Sequence, residues 1–284
     1  MKQISKSVAV WVLYFLPLIA FSQKELSITV YGGYGFGIGK EHTLHHHYHM
    51  FELAPAGNES GKVLYSHGQG LDAGLKLNYS FARVLTATID CSYLNGQAKK
   101  REISQSTSNR TFREHMSGAM LRVSPQLGVT LPVTDRLSIR SLLGPVFSFN
   151  SELTYRLELV GKENETWIAY RFYDDKPVGF TSTQGVRYKL GNRFKIAADL
   201  RLYVQDFTPS KGEYTHWVEM GKEKVQDLKV MDRYWEFTDE GYDIHNRTKP
   251  SQWWISTYAF HSLGVQLGVE YIIHHKSKNR TENK

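Results

Sequence analysis

Leu71-Asp72-Ala73-Gly74-Leu75-Lys76-Leu77-Asn78-Tyr79-Ser80-Phe81 alternates without a break. In an extended chain Leu71, Ala73, Leu75, Leu77, Tyr79 and Phe81 share one face, and Asp72, Gly74, Lys76, Asn78 and Ser80 share the other. A period of two marks a strand whose two faces meet different surroundings. The pattern returns in Leu26 to Ile38, Leu85 to Tyr93, Ala119 to Leu131, Leu137 to Phe147, Phe180 to Leu190, Phe194 to Val204 and Ala259 to Ile273. Across these eight segments the apolar face carries no Asp, Glu, Lys or Arg. The opposite face carries Asp72, Lys76, Asp90, Arg122, Arg140, Arg187, Lys189, Lys195, Asp199, Arg201 and Glu270.

A soluble sandwich or lipocalin buries its apolar face and wets its polar one, whereas a membrane barrel turns the apolar face to lipid and the polar face to its lumen. Alternation is common to both, so the connections decide. Segments two and three join around Phe81-Ala82, four and five through Pro132-Val133-Thr134-Asp135, and six and seven through Gly191-Asn192-Arg193. The intervening connections are long, roughly 40–64, 95–115, 150–177 and 206–253. Short periplasmic turns alternating with long external loops are the habit of outer-membrane barrels, and an even strand number returns both termini to the periplasm. Four such loops are improbable in a compact soluble domain. The expectation is an all-β chain folded as an eight-stranded antiparallel up-and-down transmembrane β-barrel, integral to the outer membrane.

The rest of the chain agrees. Lys2 and Lys6 precede the apolar run Val8 to Phe21, and Ala20-Phe21-Ser22 closes it, the layout of a secretory leader over residues 1–22. The barrel then occupies 23–273 and a polar tail 274–284. The chain has 284 residues, a formal charge of +7 and one cysteine, which excludes a disulfide scaffold or a Cys-based zinc finger. No apolar run reaches the ~20 residues of a membrane helix. The positive charge, two units of which leave with the leader, is too diffuse for nucleic acid.

The leader, the turns Leu131-Pro132-Val133-Thr134-Asp135-Arg136-Leu137 and Leu190-Gly191-Asn192-Arg193-Phe194, and the closing Leu263-Gly264-Val265-Gln266-Leu267-Gly268-Val269-Glu270-Tyr271 resemble the small eight-stranded outer-membrane β-barrel family of Gram-negative bacteria. The resemblance covers the whole mature chain and is one of pattern. It implies a non-enzymatic barrel with a structural, adhesion or partner-binding role through its extracellular loops. The alternatives it leaves are an accessory subunit of a secretion or assembly machine, and a lipid A modifying enzyme. Lipid A deacylases on this architecture use His, Ser and Glu of late strands, and His261, Ser262 and Glu270 are the residues available here. Adjacent residues of a strand point to opposite faces, so His261 and Ser262 are poorly placed to share a proton.

The candidate sites follow from the faces. Asp72, Lys76, Asp90, Arg122, Arg140, Asp199 and Arg201 would form a lumen ion-pair network, with Asp72, Asp90, Arg122 and Arg201 at similar heights. An eight-stranded barrel is just wide enough for side chains to fill, so these groups are expected to pair and plug the barrel. The long loops hold Trp167, Trp217, Trp235, Trp253 and Trp254, which suit sugar, lipopolysaccharide or protein surfaces and equally a membrane interface. Loop four also alternates at Val225, Leu228, Val230 and Tyr234, as a hairpin continuing the barrel would. His42, His45, His46, His47 and His49 crowd into loop one, a weak metal or pH-sensing candidate beside the plainer reading of surface histidines. Gly32-Gly33-Tyr34-Gly35-Phe36-Gly37 lies within a strand and lacks the helix of a phosphate loop; its glycines are expected to curve the strand and make room in the lumen. No catalytic residues and no cofactor are expected, and the partners implied are outer-membrane lipid and lipopolysaccharide, with a protein or glycan at the loops of a monomer.

Overall fold

The computed structural model describes residues 25–38, 40–42, 63–82, 84–105, 110–160, 166–173, 176–238, 248–255 and 257–275. Its strands are β1 (Glu25–Gly37), β2 (Lys40–His42), β3 (Val63–Tyr65), β4 (Gly70–Ser80), β5 (Leu85–Gly96), β6 (Lys99–Gln105), β7 (Arg110–Pro132), β8 (Leu137–Val160) and β9 (Thr166–Tyr173). They continue as β10 (Val178–Lys189), β11 (Phe194–Phe207), β12 (Lys211–Glu219), β13 (Lys222–Glu223), β14 (Tyr234–Thr238), β15 (Ser251–Trp254), β16 (Tyr258–Ala259) and β17 (Ser262–His275). A 3-10 turn over Val225–Asp227 and the short helix α1 (Val230–Arg233) are the helical pieces among the described residues.

β1, β4, β5, β7, β8, β10, β11 and β17 pair in that order, each antiparallel to the next, and β17 returns to β1. The sheet is therefore closed, which leaves no open edge in the lipid. These eight strands are the eight alternating segments of the sequence. The last runs to His275, paired with Glu25, two residues past the point where the alternation stops.

The faces are inverted relative to a soluble protein. Leu71, Leu127, Leu267 and Val30 point outward and are 62%, 64%, 61% and 58% exposed, while Lys76, Arg122, Arg187 and Arg201 point inward and are 1% exposed. Water would not sustain such a surface, but hydrocarbon does. Tyr79, Tyr188, Phe194 and Tyr271 ring the tight-turn end of this belt, and Phe36, Tyr93, Phe147, Phe149 and Phe180 the other, the positions interfacial aromatics take.

At the tight-turn end the chain closes economically. Val133 N–H donates to the Leu137 carbonyl and Leu190 N–H to the Phe194 carbonyl, and the Thr134 hydroxyl accepts from the Leu137 N–H.

The opposite end is where the structure adds most. A tilted strand spans a bilayer in ~9–11 residues, yet β7 and β8 have 23 and 24. Their surplus rises beyond the belt, still paired from Thr111–Val160 down to Ala119–Glu152. β6 joins β7 on one side, while β9, β12, β14 and β15 add on the other, the last pair parallel. Of the long connections expected as loops, 95–115 and 150–177 are thus largely sheet among the described residues, and 206–253 contributes β12, β13, β14 and part of β15. The alternation expected to continue there as a hairpin is not one: Val225 opens the 3-10 turn, Leu228 caps it and Val230 starts α1, and of the four residues Tyr234 alone lies in a strand.

Candidate functional site

Two regions carry chemistry: the polar lumen within the belt and the sheet that rises above it. The lumen is stacked in layers. Near the tight turns, Glu270 accepts from the Ser27 hydroxyl at 2.9 Å and meets Arg187 Nε at 3.2 Å, Arg140 at 3.5 Å and Lys195 at 3.2 Å. Lys195 also pairs with Glu25. One layer up, Asp199 receives Lys76 Nζ at 2.6 Å and both guanidinium nitrogens of Arg187, at 2.5 and 3.0 Å. Higher still, Arg201 pairs with Asp90 and donates to the Tyr31 hydroxyl at 3.0 Å, which in turn donates to Asp90 at 2.8 Å. Charges taken out of water hold best with close, hydrogen-bonded partners, and here both neighbouring strands, as for Arg187 and Asp199, and strands across the lumen, as for Lys76 and Asp199, supply them.

At the top of this stack the Tyr203 ring lies between two guanidiniums, Arg122 at 4.1 Å and Arg201 at 4.3 Å. Asp72 accepts from the Gln266 amide at 2.7 Å. Asp72, Arg122, Arg201, Tyr203 and Gln266 line a cavity of about 10 Å³, room for roughly one water. Of the sequence-predicted residues, Asp90 pairs with Arg201 and Lys76 with Asp199. Asp72 and Arg122 line one small cavity without an ion pair between them: Asp72 is held by Gln266, and the buried Arg122 guanidinium stacks on Tyr203 with no hydrogen-bond partner among the described residues. Arg140 reaches the lower layer. The pivots omitted from that candidate set are Glu270 and Arg187, which touch four and two partners respectively; their inward parity was the available signal.

Directly above, the lumen turns apolar and closes. Leu94, Met120, Phe207 and Phe260 are at most 1% exposed and belong to one cluster with Leu153, Tyr155, Tyr170, Phe172, Tyr214 and Trp235. Residues 66–69 and 258–261 cross the mouth: His67 N–H donates to the Ala259 carbonyl and the His67 ring packs on Phe260 at 5.4 Å. Two wall glycines make this lid possible. A Cβ on Gly118 would lie 2.5 Å from the Phe260 ring, and one on Gly35 would lie 2.9 Å from the Gly68 carbonyl. The expectation that glycines of β1 free space in the lumen is met at Gly35.

The upper sheet has the opposite polarity. Its concave face holds the aromatic cluster, where Tyr155 stacks on Tyr170 at 4.4 Å and Trp235 meets Tyr214 at 5.0 Å. Burial pushes the Tyr170 and Tyr214 hydroxyls up, so both stay neutral. Its convex face is a lattice of ion pairs: Arg156 with Glu158 at 2.8 Å, Arg171 with Glu213, and His216 with Glu223 at 3.0 Å. Burial acts to raise the Glu223 carboxyl, but the Trp217 and Val225 N–H groups and His216 outweigh it and hold Glu223 below its ordinary value.

The tryptophans divide accordingly. Trp235 is 2% exposed and serves the core, so its ring offers no surface to a ligand. Trp217 packs against the same cluster. Trp167 lies on the convex face with Arg156 over its ring at 4.0 Å and His216 beside it at 5.2 Å. Trp253 and Trp254 form β15 at the sheet edge; their side chains, and that of His42 in β2, lie outside the described residues, as do His45, His46, His47 and His49.

The serine-hydrolase carry-over fails on geometry. Ser262 points into the lumen at 2% exposure. His261 Nδ1 accepts the Gln205 backbone N–H at 3.0 Å and Nε2 lies 3.4 Å from Asp206, so neither ring nitrogen is free to take a proton from Ser262. Glu270 is held at the far end of β17 by Ser27 and the lower-layer cations.

Fold and interior together define a class: an integral β-barrel of the outer-membrane type, filled by its own side chains and carrying an elaborated sheet at one end. No protein-family model matches the chain, and no curated protein matches it. Among solved structures it is similar to Ail, the attachment invasion locus protein of Yersinia pestis, at 11% identity and a TM-score of 0.35, with 89% of this chain and 99% of that one covered. The same protein in complex with the heparin analogue sucrose octasulfate aligns at 10% identity and a TM-score of 0.34, with the same coverage.

Proposed function

We propose that this chain is a non-enzymatic outer-membrane protein that acts through its upper sheet, with the barrel as its anchor. The observation that carries the reading is the division of labour along β7 and β8: below, their inward face joins a sealed ion network; above, the same strands frame a folded platform with its own core. A sealed lumen does not conduct, and a purely structural anchor would have no use for the second core.

In this reading residues 1–22 are a leader removed on export, 274–284 a polar tail, and both termini and the tight turns face the periplasm. The platform then faces outward, where the convex lattice around Arg156, Trp167, Arg171 and His216 meets a protein or a glycan, and lipopolysaccharide surrounds the belt. Adhesion or partner binding is the role such a surface fits.

The test is cell binding. Cells expressing the protein should adhere to immobilised polysaccharides or surface proteins more than cells with an empty vector. Protease shaving of intact cells should abolish that excess while the barrel still shifts on gels between unboiled and boiled samples. Adhesion that survives shaving, or stable single-channel openings in a planar bilayer, would sink the proposal.

A further inference from the structure

The lipid-facing belt has one flaw. On β1, β4, β5, β7, β11 and β17 the outward positions between the aromatic girdles are aliphatic, glycine, proline or Cys91, save Tyr34 beside Phe36, the Tyr34 hydroxyl being bonded to Gln97 and Gln69. On the adjacent strands β8 and β10 they include Ser141, Ser182 and Gln184. Gln184 is exposed and sits midway between Phe180 and Tyr188, with roughly 13 Å of strand to either. That is the middle of the hydrocarbon.

Its amide donates to the Ser141 hydroxyl at 2.8 Å. This uses one of the two N–H donors and leaves the carbonyl oxygen without a partner among the described residues. Hydrocarbon offers neither donor nor acceptor, so the remaining groups carry an unrelieved desolvation cost. Acyl chains cannot meet that need, and headgroups lie too far along the strand.

We propose that the β8–β10 face is where a second copy of this chain docks within the membrane, centred on Gln184. A primary amide is its own complement: the N–H of one and the carbonyl of the other satisfy both across a two-fold axis. Two copies inserted in the same sense bring Gln184 to the same depth. Leu143 and Val186, 51% and 42% exposed, flank the pair and supply apolar contact. This pair departs from the monomer expected from the sequence, and the position of the amide in the belt is the observation that argues for it.

The test uses the full chain in cell membranes, with Cys91→Ser and a single new cysteine. Ser182→Cys lies in the patch, and Leu75→Cys lies on β4, diametrically across the barrel. Oxidation or a short bismaleimide is expected to give a product of two chain masses from Ser182→Cys in at least about tenfold greater yield than from Leu75→Cys. Adding Gln184→Leu should cut that yield about tenfold, or about 1.4 kcal/mol, while the unboiled band still migrates as a folded barrel. Three results would each overturn the proposal: no dimer from Ser182→Cys, equal yields at the two sites, or a yield indifferent to Gln184→Leu. A product of any other mass would also overturn it, and would assign the face to a foreign partner.

Discussion

β7 and β8 are two strands that live in two solvents. In the belt they show Leu121, Leu127, Leu143 and Phe147 to lipid and Arg122, Gln126 and Arg140 to the lumen. Beyond it they show Arg113, Glu152, Arg156 and Glu158 outward and Met116, Met120, Leu153 and Tyr155 inward. Polarity inverts about one axis, and the two strands achieve it differently. On β7 even-numbered residues face inward throughout, so the sequence itself must change parity, from apolar at odd positions below to apolar at Met116 and Met120 above. On β8 the alternation keeps its large apolar residues mostly at odd positions from Leu137 to Leu159, with Leu142 and Val146 the even-numbered, inward exceptions in the belt. The backbone turns them over instead, at a bulge where Asn150 adopts φ 49° and the register with β7 shifts between Ala119 and Leu121. The same inversion can therefore be written in side chains or in one left-handed residue.

The comparison can be broken first in the lumen. Glu270→Leu leaves Arg187, Arg140 and Lys195 without the acid they share, and is expected to cost about 3–5 kcal/mol, read as a lower urea midpoint for barrel unfolding. On the outer belt, Leu75→Arg puts a charge in hydrocarbon and should cost about 2–4 kcal/mol, whereas Arg156→Leu on the convex face above should stay within about 0.5 kcal/mol. Equal costs for that pair would mean the two outer faces share one environment. At the boundary, Asn150→Val forces a β-branched residue into the left-handed region and should cost about 1–3 kcal/mol; Asn150→Gly should be nearly neutral. Limited proteolysis should show the Val variant losing the upper sheet before the belt.

The smallest effect concerns pH. Glu223 has a lowered folded value, so its contribution is present above the unfolded carboxylate range and is lost as pH falls through the folded one. The Trp217 and Val225 amides that bond it should lose hydrogen-exchange protection in acid below the ordinary carboxylate range, while the belt amides keep theirs. Protection unchanged in acid would remove Glu223 from the account of that turn.

What the sequence disclosed is the part governed by parity. Every barrel strand, the lipid face and the inward charges follow from a period of two, because lipid and lumen each impose one polarity along a whole strand. The upper sheet was harder to read because its strands answer to a different core. Trp235 reads as a loop aromatic until β12 and β14 bring it beside Tyr214, and Tyr155 continues an odd-numbered alternation whose face changes at Asn150. Asn in an alternating run is the one local sign of that bulge, since its side chain tolerates the left-handed region. The pairing within the lumen was legible by sign and height, but not which acid would serve as pivot. Glu270 takes that place because β17 lies between β11 and β1, a neighbourhood fixed by closure.

The measurement that bears most directly on the inversion is a cysteine scan along β8 in the Cys91→Ser background, labelled with a lipid-phase probe and with an aqueous maleimide. Below Asn150 the odd positions 143, 147 and 149 should take the lipid probe. Above it the even positions 152, 154 and 156 should react with aqueous maleimide, and the odd positions 153 and 155 should be protected. If odd positions stay reactive through 155, β8 does not turn over at Asn150, and the upper sheet is not the cored platform described.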